Sequence, residues 1–150
     1  MPAFGSFSKS NLVSVHPKLV RVANRVVLGW DCAITDGART VEEQKQNVAK
    51  GVSKTMDSKH LIQSDGFAHA LDVNTFPVNW NAIQRGYDDV KRITGGMEVL
   101  EMYAFAGFFD GVAWGMGINL RSGYDWNTNR QFEDQTFLDL PHHELRDSEA

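Results

Sequence analysis

The stretch from Ser58 to Val73, SKHLIQSDGFAHALDV, holds two of the five histidines in the chain beside two aspartates and two serines. A second group of candidate ligands lies near the C-terminus, in the run DLPHHEL from Asp139 to Leu145. Two histidines and one acidic residue around an open fourth position are a catalytic zinc arrangement. We therefore expect His60, Asp72 and the C-terminal run to contribute to one zinc site.

Asp139 lies three residues before His142, which could place a second carboxylate beside the metal without binding it. A carboxylate in that position could take a proton from the attacking water and act as general base. The alternative interpretation is a set of solvated loop side chains together with one hydrogen-bonded core histidine. Spacing alone does not decide between these two interpretations.

The bulk composition narrows the class of protein. The chain has 150 residues, of which 42% are hydrophobic, enough for one domain over residues 1–150 with its own core. A net charge of -4, from 15 basic and 19 acidic residues, offers no broad cationic surface, so we expect no nucleic-acid partner. Cys32 is the single cysteine, and its apolar surroundings in DCAIT predict a buried thiol rather than a nucleophile.

The N-terminal segment MPAFGSFSKSN lacks the apolar core of an export signal. No stretch approaches the ~18 uninterrupted apolar residues of a transmembrane helix. We expect a monomer that is made in the cytoplasm and does not insert into membranes.

Helical and strand patterns are interspersed without a regular alternation. Apolar spacing predicts a helix from Pro17 to about Leu28, and a capping-box pattern at Thr40 and Glu43 predicts a second helix over 41–50. The other predicted elements are strands at 32–34, 68–76, 112–116 and 140–145, and a helical region over 80–109 broken near Gly95-Gly96, with Met97, Leu100, Met102, Phe105 and Phe108 in the core. This order favours an α+β fold with a small, largely antiparallel sheet and helices packed on it.

In the predicted strand at 68–76, alternation places Asp72 on one face and Leu71 and Val73 on the other. His69 is an odd number of residues from Asp72 and therefore faces away from it. We expect His69 to lie outside the metal site, close to it or at the surface.

Several motifs, taken in order, resemble the zinc D-Ala-D-Ala metallopeptidase family. They are HPKLVRVA, ITDGARTVEEQ, GVSKTMDSKH, AHALDV, YDW and DLPHHEL. The family includes D,D-carboxypeptidases, vancomycin-resistance dipeptidases and phage L-alanoyl-D-glutamate endopeptidases. The resemblance runs from about His16 to Leu145 and implies a hedgehog/DD-peptidase-like fold.

By this resemblance His60, Asp72 and His142 would bind zinc, and Asp139 would be the catalytic base. The chain departs from the family pattern in having a longer segment between His60 and Asp72, and in having His143 where an aromatic residue is more usual. We interpret the first departure as a longer loop that keeps the ligand geometry. Strand alternation turns His143 away from His142, so only one of the paired histidines should bind metal.

Arg39 resembles the family's arginine that contacts substrate near the scissile bond, and a guanidinium suits polarising a carbonyl or holding a carboxylate. The alternative interpretation is that Arg39 is a solvent-exposed arginine before a helix. Ser58 would order its loop or contact substrate. Gln44 would line the same cleft or belong to a polar helix face. Trp126 would form a wall of the cleft or pack in the core, and we expect the core.

The resemblance implies a zinc-dependent peptidoglycan peptidase that cuts the L-alanoyl-D-glutamate bond of the stem peptide. Small size and the missing export signal suit a phage endolysin that accumulates in the host cytoplasm until the membrane is permeabilised, and then acts on the cell wall. The alternatives are a D,D-carboxypeptidase or dipeptidase acting on D-Ala-D-Ala, and a non-catalytic zinc-containing binding domain. Asp139 favours an enzyme over the binding domain.

Overall fold

The computed structural model describes residues 1–81 and 97–149. Its helices are α1 (Ser6–Asn11), α2 (Pro17–Val26), α3 (Val41–Ala49) and α4 (Met97–Gly115), and its strands are β1 (Cys32–Asp36), β2 (Ala70–Thr75), β3 (Leu120–Gly123) and β4 (Asp139–Leu145). The strands form one antiparallel sheet in the order β1-β2-β4-β3. The predicted α+β fold with a small antiparallel sheet is confirmed.

Helix α2 forms because its apolar residues recur at helical spacing and meet the core. Leu19, Val22, Ala23 and Val26 are buried along one face. The His16 side chain accepts a hydrogen bond from the Lys18 N–H and caps the first turn. A helix of ten residues is marginal on its own, so burial of this face, about 1.5–3 kcal/mol for each fully buried Leu or Val, stabilises it.

One face of the sheet is apolar and packs against α2 and α4. Ile34, Leu71, Val73 and Leu145 point from the strands into a core that also contains Phe105 and Phe109 of α4, with Leu19 and Val22 of α2. This burial confirms the predicted alternation of β2. The opposite face is therefore left for polar side chains.

Register brings the polar residues of different strands together. Asp72 of β2 lies opposite His142 of β4, and Arg121 of β3 lies opposite Glu144 of β4. On the other side of β2, Asp36 of β1 pairs with Asp72 across a β-bulge. A row of charged and histidine side chains thus crosses the sheet from β1 to β3.

Two predictions of local structure are wrong. Residues 112–115, assigned to a strand, are the last turn of α4, because a short apolar run bounded by glycines does not separate a strand from a buried helix segment. Met97 and Leu100 are exposed rather than buried, whereas Met102 and Phe105 are in the core as expected. The predicted helical residues 82–96, with the break at Gly95-Gly96, lie outside the described residues.

Helix α1 and strand β3 had no counterpart among the predicted elements. Within residues 1–81 and 97–149, no helix is both long and apolar enough to span a membrane.

Candidate active site

A cleft of about 900 Å³ opens over the polar face of the sheet. It brings together the residues that the sequence indicated: Arg39, Ser58, His60, Asp72, Asp139 and His142 all line it. His60 arrives from the loop before β2, Asp72 from β2, and Asp139 and His142 from β4. The longer segment between His60 and Asp72 therefore does not keep the two side chains apart.

Three of these side chains direct donor atoms at one point. His60 Nε2 lies 3.1 Å from Asp72 Oδ1 and 3.2 Å from His142 Nδ1, and His142 Nδ1 lies 3.3 Å from Asp72 Oδ1. Two imidazole nitrogens and one carboxylate oxygen thus form a nearly equilateral triangle. This group could hold a metal ion.

Hydrogen bonds from the far side of each imidazole set which nitrogen faces the triangle. His60 Nδ1 donates to the Gly37 carbonyl oxygen at 2.6 Å, and His142 Nε2 donates to Glu144 Oε2 at 2.8 Å. A carbonyl can only accept, so the His60 nitrogen that faces Asp72 is left with its lone pair. Such outer partners orient metal-binding histidines and make them stronger ligands.

The charges around the triangle favour a cation. Burial raises the pKa of the Asp72 carboxyl, but His60 and His142 outweigh burial and hold that pKa well below its usual value. Burial lowers the pKa of His142, yet hydrogen bonds to Asp72 and Glu144 outweigh it and raise the pKa to about 10. Without a metal ion, the carboxylates of Asp72 and Glu144 therefore favour a proton on each nitrogen of His142, and a cation bound at the triangle would take the place of the Nδ1 proton.

Arg39 is fixed in the cleft wall by three neighbours. Its Nε donates to Asp36 Oδ2 at 2.6 Å, its Nη1 donates to Gln44 Oε1 at 3.0 Å, and its Nη2 lies 3.6 Å from Asp72 Oδ2. Gln44 is fully buried and also donates to Ser53 Oγ and to the Thr55 carbonyl oxygen. Gln44 is thus a support for Arg39 and for the neighbouring loop, neither a cleft residue nor part of a solvated helix face.

Asp139 begins β4, and its charge acts on His142. Gly123 of β3 lies against the Asp139 backbone so closely that a Cβ at residue 123 would overlap the Asp139 carbonyl oxygen.

Ser58 accepts a hydrogen bond from the His60 N–H at 3.3 Å. The hydroxyl of Ser58 therefore orders the loop that carries His60.

His143 faces away from the triangle, as its alternation with His142 predicts. It is fully buried, stacks on Phe109 with ring centroids 4.3 Å apart, and bonds through Nδ1 with Ser122 and Asp110. This contact between β4 and α4 explains how a histidine occupies a position suited to an aromatic ring.

His69 also lies outside the cleft, in a second group with His16 and Asp65. Its Nε2 is 2.8 Å from Asp65 Oδ2. The His16 Nδ1 accepts the Lys18 N–H, so in the neutral ring its Nε2 carries the proton. That nitrogen has no lone pair for a metal, and the group is better described as a polar contact that fastens the 63–69 loop to the start of α2.

Trp126 lines the cleft instead of packing in the core. Its ring centroid lies 5.1 Å from that of His142, and its Nε1 donates to the Phe137 carbonyl oxygen.

Cys32 is buried as expected, and burial raises the pKa of its thiol to about 12.

Glu144, Arg121 and the Gly37 carbonyl were missed by sequence reasoning. Glu144 had one signal, since it shares a strand face with His142. The roles of Arg121 and Gly37 depend on strand register and on loop geometry, which the local sequence does not state.

Comparisons with known proteins agree with one another. The model of the family described as phage L-alanyl-D-glutamate peptidase matches residues 2–146. The L-alanyl-D-glutamate peptidase of Escherichia phage T5 is 31% identical over 137 residues, which are 88% of this chain and 87% of that relative. The crystal structure of the L-Ala D-Glu endopeptidase ChiX of Serratia marcescens is similar with a TM-score of 0.64 and 26% identity, covering 95% of this chain and 89% of that one.

Proposed function

The chain belongs to the phage L-alanyl-D-glutamate peptidase family, and we propose that it cuts the bond between L-alanine and D-glutamate in peptidoglycan with one zinc ion. His60, Asp72 and His142 would hold the zinc, and Asp139 would be the catalytic base. Arg39 and Ser58 would bind the substrate. The observation that carries this assignment is the triangle of donor atoms inside the cleft that Asp139 and Arg39 also line.

The donor set suits zinc in type, number and spacing. At zinc–ligand distances of about 2.0–2.1 Å, ligand atoms of a tetrahedral site lie about 3.3 Å apart. The separations of 3.1, 3.2 and 3.3 Å between the donor atoms of His60, Asp72 and His142 are close to this value. Three protein ligands leave the fourth position open, as catalytic zinc sites require.

When bound, zinc supplies a Lewis acid that polarises a carbonyl and acidifies water. The chain's own residues supply the rest of the chemistry. The Asp139 carboxylate takes the proton from the attacking water and returns it to the leaving amine. The Arg39 guanidinium, held by Asp36 and Gln44, contributes positive charge where the carbonyl oxygen becomes an oxyanion.

Purified peptidoglycan, digested and analysed by mass spectrometry of the fragments, tests this function. The wild-type protein should expose new N-terminal D-glutamate. Asp139→Asn should remain folded and zinc-loaded but lose about 100- to 10,000-fold in rate, because it lacks a proton acceptor. Asp31→Asn, an exposed aspartate outside the cleft, is the matched control and should keep wild-type activity.

Each alternative has its own outcome. Release of terminal D-alanine would instead support a D,D-carboxypeptidase or dipeptidase. Intact sacculi with zinc-loaded wild-type protein would support a non-catalytic binding domain. Protein that carries no zinc, with activity unaffected by a strong chelator, would contradict the metallopeptidase.

We also propose that residues 1–150 are a single zinc peptidase domain that acts as a monomer. In the cell it would accumulate in the cytoplasm of the bacterial host and reach the cell wall after the membrane is permeabilised. Peptidoglycan would be its macromolecular partner.

A further inference from the structure

A D-glutamyl residue carries two carboxyl groups, and the onward peptide chain can use only one of them. The other is an anion within a few bonds of the scissile nitrogen. A cleft that accepts D-glutamate beside the metal ligands must therefore offer this carboxylate a cation or leave it in water. Burying it without a partner would cost several kcal/mol.

Two of the cations that line the cleft are already committed to other groups. The Arg39 guanidinium is shared among Asp36, Gln44 and Asp72. The Lys59 ammonium lies 2.8 Å from Asp147 Oδ1. Arg39 is only 14% exposed and would have to break this network to reach a substrate carboxylate. Lys59 is a point charge without the planar fork that matches a carboxylate.

Arg121 is placed differently. It lies opposite Glu144 in the register of β3 and β4, and its Nε and Nη2 both approach Glu144 Oε1, at 2.7 and 2.5 Å. Within the described part of the chain, its Nη1 makes no hydrogen bond, and its side chain is 43% exposed at the cleft wall. Glu144 also accepts from His142, so one carboxylate is divided between two cationic partners.

Trp126 connects this guanidinium with the metal ligands. The Arg121 Cζ lies 5.7 Å from the centroid of the Trp126 ring, and the His142 ring centroid lies 5.1 Å from the same ring. The indole is held in place by its hydrogen bond to Phe137. Arg121 is thus fixed by an ion pair and a cation–π contact, beside the ligands that would activate the scissile bond.

From these contacts we propose that Arg121, supported by Glu144 and Trp126, binds the D-glutamyl carboxylate that takes no part in the onward chain. This assignment rests on the proposed function. A guanidinium donates two parallel hydrogen bonds to a carboxylate but has no acceptor for a carboxamide N–H. Arg121 is therefore a specificity determinant for the acid form of the substrate over the amidated form.

Two synthetic stem peptides test the proposal, identical except that this carboxylate is a carboxamide in one of them. We expect the wild-type protein to cleave the acid about 10- to 100-fold better in kcat/KM, the range of a charge-assisted hydrogen bond. Arg121→Gln should lose this preference by slowing cleavage of the acid alone. Arg121→Lys keeps the charge and should retain part of the preference, while Arg21→Gln, on the exposed face of α2, should behave as wild type.

A purely structural role for Arg121 makes a different prediction. If Arg121 only steadied Glu144, its loss would slow both peptides by the same factor and leave their ratio unchanged, which would overturn the proposal. A preference that persists in Arg121→Gln would also overturn it and point to Lys54, another cation at the cleft. Wild-type protein that cuts neither peptide would contradict the proposed function itself, whereas equal cleavage of both would contradict only the subsite.

Discussion

Replacing Glu144 by alanine should weaken zinc binding without unfolding the protein. Glu144 Oε2 accepts the His142 Nε2–H at 2.8 Å, with the two side chains only 5% and 7% exposed. Without this acceptor the His142 proton can move to Nδ1, the nitrogen that faces Asp72 and His60. A protonated Nδ1 cannot bind a metal, so the variant must expend free energy to present the correct tautomer.

The expected loss is about 10- to 100-fold in zinc affinity, or about 1.4–2.7 kcal/mol. This agrees with the ~1.5–3 kcal/mol of a hydrogen bond to a charged group, and the buried position leaves little room for water to replace the carboxylate. Competition with a chromogenic chelator measures the zinc affinity, and circular dichroism of the metal-free protein checks the fold.

Two further variants separate orientation from charge. Glu144→Gln keeps an oxygen that can accept from His142 and should retain more affinity than Glu144→Ala. Arg121→Gln removes the other partner of Glu144 but leaves the bond to His142, so its zinc affinity should stay near wild type. If folded Glu144→Ala binds zinc as tightly as wild type, Glu144 does not set the His142 tautomer and the argument fails.

Three other predictions follow from the same structure. His60→Ala should lose zinc while His69→Ala keeps it, as metal analysis of the purified variants would show; the reverse result would identify His69, instead of His60, as the zinc ligand. Gly123→Ala should lower both Tm and activity, since its Cβ would overlap the backbone of β4; Gly111→Ala, with open space in α4, should gain about 0.5–1 kcal/mol. The Cys32 thiol should resist alkylation at pH 8 until the protein unfolds, because burial raises its pKa to about 12; rapid labelling of folded protein would contradict this.

Predictions from local sequence succeeded where a feature is decided within a few residues. The capping box at Thr40 and Glu43 is present, with the Thr40 hydroxyl accepting from the Glu43 N–H and the Glu43 carboxylate from the Thr40 N–H. Alternation in β2 correctly separated Asp72 from Leu71 and Val73. Both features depend on backbone geometry that repeats every two or three residues.

Predictions failed where the outcome depends on distant partners. Helix α4 includes Gly107, Gly111 and Gly115, and glycine is unfavourable inside a helix. Its apolar residues show no clear helical period, so its last turn was mistaken for a strand. Strand β3, with the sequence LRSG, has almost no strand signal of its own and exists because it pairs with β4. Trp126 was expected in the core because its type is usually buried, whereas contact with His142 and Arg121 holds it at the cleft.

Strand register explains why the ligands could be proposed from sequence while their supports could not. His60, Asp72 and His142 belong to residue types that commonly bind metals, so residue type alone indicates them as candidate ligands. Glu144 and Arg121 are ordinary surface residue types, and their roles arise only because β4 lies between β2 and β3, placing Asp72 opposite His142 and Arg121 opposite Glu144. The same sheet that orients the proposed metal ligands thereby also orients the cation proposed to bind D-glutamate, so a change in β3–β4 pairing should alter zinc affinity and substrate preference together.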